Sequence, residues 1–148
     1  MEVVLTFAPF NPWEQLQRYE QQLLDKQGVV GQWGAMVPFI GTMRHYNQGE
    51  MVQAMFLEHY PAMTEKYLSK ISQQALEKWD ILDTLIIHRV GEIQLGETIV
   101  LVAAWAGHRA PAFEACRFLI EELKARAPFW KRETLEQGVR WVEKNTPG

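Results

Sequence analysis

The clearest signal in the chain is the alternation of apolar and polar positions, whose period changes several times. Val3 to Ala8 reads as a short strand. Asn11-Pro12 then supplies an N-cap residue followed by proline at the first helical position, and Leu16, Tyr19 and Leu23 fall on one face of a helix over Trp13–Lys26, closed by Gly28. The β-branched and aromatic run Val29–Ile40 predicts a strand, with Gly41 marking a turn or bulge at its end. Arg44–Glu50 is polar and contains Asn47-Gln48-Gly49, which predicts a flexible connection. In Met51–Tyr60, Val52, Ala54, Phe56 and Glu58 alternate with Met55, Leu57 and His59, the period of a strand.

Pro61 opens the next helix, Ala62–Trp79, where Tyr67, Ile71, Ala75 and Trp79 recur every four residues. Strands follow at Thr84–Val90 and Thr98–Ala106, joined through Gly91–Glu97. Ala110-Pro111 begins a helix with Ala112, Cys116, Leu119, Ile120, Leu123 and Ala127 on its apolar stripe, and Pro128 stops it. The tail Phe129–Glu143 alternates enough for one or two short strands. No repeat, linker or low-complexity segment interrupts this order. The expected fold is one α+β domain over residues 1–148, a mostly antiparallel sheet with about three helices.

Composition narrows the function. With 47% hydrophobic and 22% charged residues the chain is ordinary globular material, not a disordered one. A net charge of -3 argues against a general nucleic-acid or anionic-membrane binder. The charge is uneven: residues 1–107 carry 7 Lys+Arg against 12 Asp+Glu, and residues 108–148 carry 8 against 6, so an anion site should draw on the C-terminal third. No apolar run reaches the roughly 20 residues of a membrane span, and the first residues lack a signal peptide's pattern, so a cytoplasmic location is expected. The single cysteine, Cys116, excludes an intrachain disulfide, and four histidines without HxH or HExxH spacing predict no metal site.

Basic residues remain as the candidate chemistry. His108-Arg109 precede Ala110-Pro111, and if Pro111 is the first helical residue both flank a helix N-terminus, where free N–H groups favour an anion; the plainer reading has His108 capping and Arg109 solvated. Lys124 and Lys131 are separated by the helix-breaking Pro128, so the chain can fold back and bring both to one site. Lys124 borders the apolar stripe, where a lysine ordinarily snorkels; as a partly buried amine beside other cations it would instead carry protons or attack an electrophile. Arg44 leaves a strand end after Gly41-Thr42-Met43, a common position for binding groups and also for a solvated loop arginine. Cys116, mid-helix and without a neighbouring activator, reads as a packed, inert thiol, and His88 as a buried or interface histidine.

Taken together, these segments resemble the large, catalytic subunit family of molybdopterin synthase. The matching stretches are Gly34-Ala35 with Phe39-Ile40-Gly41-Thr42-Met43-Arg44, Leu57-Glu58-His59-Tyr60-Pro61-Ala62-Met63-Thr64-Glu65-Lys66, Ile87-His88-Arg89-Val90-Gly91-Glu92 and Gly96-Glu97. His108-Arg109 with Ala112-Phe113-Glu114-Ala115, Leu123-Lys124, Ala127-Pro128-Phe129-Trp130-Lys131-Arg132-Glu133 and Trp141-Val142-Glu143 complete the set. The APFWKRE block with upstream HR and GTMR is the specific part. Met43, where valine is commoner, and Trp105-Ala106-Gly107 before the His-Arg pair are mild departures that remove no charged group.

The resemblance implies an α/β-hammerhead-type fold and a homodimer that binds a small ubiquitin-like subunit at each end, a heterotetramer. The partner's C-terminal Gly-Gly thiocarboxylate would deliver sulfur, twice, to cyclic pyranopterin monophosphate (precursor Z), making the molybdopterin dithiolene of molybdenum cofactor biosynthesis. No resident cofactor or metal is implied. By position, Lys124 and Lys131 would be catalytic, and Thr42, Met43, Arg44, His108, Arg109, Arg132 and Glu133 would join them in binding substrate, with the His-Arg pair within reach of a neighbouring protomer's pocket. The competing class is a non-catalytic module binding a ubiquitin-like tail or a pterin.

Overall fold

The computed structural model describes residues 1–27, 30–47, 50–135 and 138–142. Among the described residues, nine strands and three helices run in the order β1 (Glu2–Thr6), α1 (Pro12–Gln27), β2 (Ala35–Thr42), β3 (Tyr46–Asn47), β4 (Glu50–His59), α2 (Pro61–Lys78), β5 (Ile81–Arg89), β6 (Gly91–Gln94), β7 (Thr98–Ala106), α3 (Arg109–Arg126), β8 (Phe129–Leu135) and β9 (Gly138–Val142). One sheet has the order β1-β5-β7-β2; in the other, β3-β4-β8-β9 form a path and β6 adds to β4. Every pairing is antiparallel except β1 with β5.

The first sheet is covered on both faces, which is why β5 and β7 are nearly continuous apolar runs. Leu85, Ile87, Leu101, Ala103 and Trp105 point to one side and pack against Leu16, Tyr19 and Leu23 of α1. Their neighbours Ile86, Val100, Val102 and Ala104 point to the other, against Leu68, Ile71 and Ala75 of α2 and Ala115, Cys116, Leu119 and Leu123 of α3. Three layers result, with α1 alone on one side. Asn11 caps α1 as expected: its Oδ1 accepts from the backbone N–H of Trp13 at 2.9 Å and of Glu14 at 3.4 Å.

Several boundaries differ from the pattern-based reading. The strand expected from Val29 starts at Ala35, because Gly31 turns the chain at φ 91° and Gly34 lies so close under Gly107 that a Cβ would strike its carbonyl oxygen. Gly41 does mark a bulge, and the register against β7 shifts between Gly41 and Thr42. Part of the expected connection at Arg44–Glu50 is ordered as β3, paired with the start of β4. The link Gly91–Glu97 contains β6, whose four residues are too few to show a period; Gly91, at φ 80°, turns the chain out of the first sheet and into the second. α3 begins at Arg109, so Pro111 is not its first residue. The closing glycine expected at position 28 lies outside the described residues. Among the described residues no helix is long and apolar enough to cross a membrane.

Candidate functional site

The two lysines meet where α3 turns into β8. Lys124 is in the last turns of α3, whose C-cap is Ala127; after Pro128 the chain reverses as β8, antiparallel to β4, with Leu57 opposite Lys131, Phe56 opposite Arg132 and Met55 opposite Glu133. The corner is pinned from α2, where the buried Thr64 hydroxyl donates to the Pro128 carbonyl at 3.1 Å. Strand alternation then puts Lys131 and Glu133 on one face and Arg132 on the other.

That shared face closes a cavity of about 290 Å³. Lys124, Lys131, Glu133, Thr42, Met43 and Arg44 all line it. Phe39, Met55, Ile99, Val100 and Val142 form its apolar walls, which sequence pattern did not single out. Gly41 belongs to the same wall, with Val100 at 3.0 Å from where a Cβ would stand. Two backbone hydrogen bonds fix the Thr42–Arg44 segment: the Met43 N–H donates to Glu97 O at 2.9 Å, and the Gly96 N–H to Met43 O at 2.8 Å.

Three of the expected site residues lie elsewhere in the single chain. Arg132 sits over the Phe56 ring at 5.0 Å, on the opposite face of the sheet. His108 is the N-cap of α3 without a side-chain capping bond, and His108 and Arg109 are both exposed. Arg109 precedes Lys124 by fifteen residues on the same helix, roughly 22 Å along its axis.

The electrostatics of the cavity are those of two amines forced together. Burial lowers the Lys124 pKa to about 8, helped by the Lys131 charge and a hydrogen bond between the two side chains. Lys131 is lowered by burial as well, and by Arg44, while Glu133 and the bond with Lys124 act the other way. Glu133 is itself buried and accepts from Arg140 Nε at 3.1 Å across the β8–β9 pairing. The pair therefore loses its first proton near pH 8 rather than near the 10.5 of free lysine. Such an arrangement can hold an anion and also move a proton.

The sign of the stability effect follows. A lysine whose pKa is depressed on folding destabilises the fold at all pH values below its folded pKa, and the penalty disappears as pH rises toward the unfolded value. Lys124→Met is thus expected to be more stable than the parent at pH 7, by on the order of 1 kcal/mol after allowing for solvent screening. The gap should narrow between about pH 8 and 10.5. Urea denaturation of both proteins at pH 7 and pH 9.5 measures it; an equal gap at both would show that packing, not charge, sets the difference.

Cys116 is buried against β7, its Sγ 3.7 Å from Val102 O, with burial raising the thiol to about 12, and it does not line the cavity. Among the described residues no three His, Cys, Asp or Glu side chains cluster as metal ligands.

Comparison with known proteins identifies the family of the chain. Residues 8–126 match the family model described as MoaE protein. The chain is 44% identical over 143 residues to a molybdopterin synthase catalytic subunit from Pseudomonas aeruginosa, covering 97% of this chain and 91% of that protein. It is 53% identical over 112 residues to one from Ralstonia nicotianae, covering 76% of this chain and 64% of that protein's length. A solved protein–protein complex of subunits 1 and 2 of molybdopterin-converting factor from Helicobacter pylori shares the fold at a TM-score of 0.78, covering 98% of this chain and 93% of that one, at 20% identity. With the family model spanning most of the chain and a relative matched nearly end to end, the chain belongs to the MoaE protein family, whose relatives here are molybdopterin synthase catalytic subunits.

Proposed function

We propose that this chain transfers sulfur from the C-terminal thiocarboxylate of a small ubiquitin-like subunit to cyclic pyranopterin monophosphate, twice, to form the molybdopterin dithiolene. The observation that carries the reading is the meeting of Lys124 and Lys131 in one cavity with Arg44, Thr42, Met43 and Glu133. Its volume, about 290 Å³, is at the small end for metabolite sites. The cations stabilise the departing phosphate oxygen and the anionic intermediates of acyl-sulfur transfer. Lys124, the readier proton donor and acceptor near pH 8, serves the proton transfers, and Lys131, next to Glu133, serves as the standing charge.

The chain needs no thiol of its own in this scheme, because sulfur arrives on the partner: each sulfur displaces an oxygen from the substrate, and water then cleaves the acyl–sulfur bond to leave the partner's tail as a carboxylate. The Helicobacter neighbour, solved as a two-subunit complex, supports a partner of this kind. His108 and Arg109, remote from their own cavity, serve the cavity of a second copy in a homodimer.

The test is incubation with the thiocarboxylated small subunit and the cyclic pterin substrate, followed by detection of a dithiolene pterin. Tail binding without dithiolene would favour the non-catalytic module instead. Lys124→Arg keeps the charge but cannot give up a proton at working pH, so activity is expected to fall nearly as far as in Lys124→Ala; full activity in the arginine variant would reduce Lys124 to a charge. Cys116→Ala is expected to retain most turnover. Its loss with folding and partner binding intact would demand a persulfide step.

A further inference from the structure

Behind the lysine pair lies a second, much smaller cavity of about 20 Å³, lined by Leu57, His88, Leu123, Lys124, Ala127, Phe129 and Lys131. The polar side chains among its lining residues are one imidazole and two amines. That volume accommodates one water molecule, and three polar partners are the usual number for a buried water. His88 itself is 3% exposed and stacked on Phe129, ring centroids 4.1 Å apart and planes 17° from parallel. Its Nδ1 lies 2.6 Å from the Arg89 carbonyl oxygen, which can only accept. Nδ1 therefore carries the proton, and Nε2 keeps its lone pair.

We propose that His88 is a positioning residue for the lysine pair, offering Nε2 as a fixed hydrogen-bond acceptor to Lys124 and Lys131 through one water bound in the small cavity. The inference rests on the role given above to the two lysines. The charged and titratable groups around the histidine favour its neutral form: Lys124 comes from α3, Lys131 from β8 and His59 from the end of β4. Arg44 and Glu133 act one step further out, on Lys131. Burial lowers the histidine to about 3, and the backbone bond to Arg89 opposes this only in part. A neutral ring that cannot rotate gives the amines an acceptor that does not switch off with pH. Phe129 and the Arg89 carbonyl supply the rigidity, and both belong to strands that form the cavity walls.

Two measurements on the parent protein and two variants test this. Long-range proton–nitrogen NMR of the His88 ring should show the neutral Nδ1–H tautomer from pH 5 to 9; the Nε2–H tautomer or an imidazolium in that range would overturn the proposal. A high-resolution crystal structure should show one water among His88, Lys124 and Lys131, and a dry cavity would equally overturn it. In His88→Phe the stacking survives but the acceptor is lost, so the first lysine proton should be released at lower pH than in the parent, by nitrogen-detected lysine titration. His88→Gln, which returns an acceptor, should restore the parent titration. Identical titrations in all three proteins would leave His88 merely structural. In the sulfur-transfer assay His88→Phe should lose about tenfold in kcat with KM little changed, and His88→Gln should regain part of it. If the NMR results are as expected but the parent transfers no sulfur, the functional reading falls and the role of His88 stands. Unchanged lysine titrations in an active enzyme give the reverse.

Discussion

Lys131→Ala is expected to lower sulfur transfer by at least about a hundredfold in kcat/KM while leaving the protein folded. The loss follows from position, because Lys131 is the standing cation of the cavity, held beside Glu133 and facing Lys124. The fold survives because the amine contributes repulsion from Lys124 and Arg44 as well as attraction to Glu133, and removing it empties no core volume. Arg132→Ala is the internal comparison. It removes an equal charge from the next residue of the same strand, on the opposite face over Phe56, and should retain clearly more activity. A second readout is independent of turnover: without Lys131 nearby, Lys124 should titrate higher than about 8. Near-normal turnover of Lys131→Ala, or equal damage from Arg132→Ala, would remove the lysine pair from the centre of the mechanism.

Mixing two inactive variants is expected to restore activity. Arg109 is separated from Lys124 by most of the length of α3, so a single chain does not bring His108 and Arg109 to the cavity it forms. In a homodimer with shared sites, a protomer carrying Lys131→Ala paired with one carrying Arg109→Ala has one site with both defects and one with neither. Each mixed dimer should then recover roughly half of the parent activity, and a random mixture roughly a quarter, since half its dimers are inactive homodimers of one variant or the other. Co-expression with two affinity tags isolates the mixed species, and sedimentation confirms that it is a dimer. No recovery in proven mixed dimers would place Arg109 outside the neighbouring site and leave the lysine chemistry untouched.

The elements themselves were legible from local pattern. Asn11-Pro12 specified the start of α1, Pro61 that of α2 and Pro128 the end of α3, because capping and the missing proline N–H act within a few residues. The apolar runs at Thr84–Val90 and Thr98–Ala106 were legible as strands, but that the sheet is covered on both faces, with Leu85, Ile87, Leu101, Ala103 and Trp105 to one side and Ile86, Val100, Val102 and Ala104 to the other, came only from the fold. β3 and β6 escaped because two and four residues do not establish a period.

The candidate site divides along the same line. Lys124, Lys131 and Arg44 stood out in the sequence through their charge and their place beside a breaker or at a strand end, whereas Thr42, Met43 and Glu133 came from the family resemblance alone. Which of the C-terminal basic residues share a cavity was a tertiary matter. Arg132 faces away only because β8 pairs with β4 in one register, and a shift of one residue would exchange it with its two neighbours. The apolar walls from Phe39, Met55, Ile99 and Val142 carry no distinguishing local signal, since a residue lining a pocket and one filling a core have the same periodicity. Local sequence sets which way a side chain points relative to its own backbone. What it points at depends on strand register and helix packing between segments dozens of residues apart, and only the folded chain specifies those.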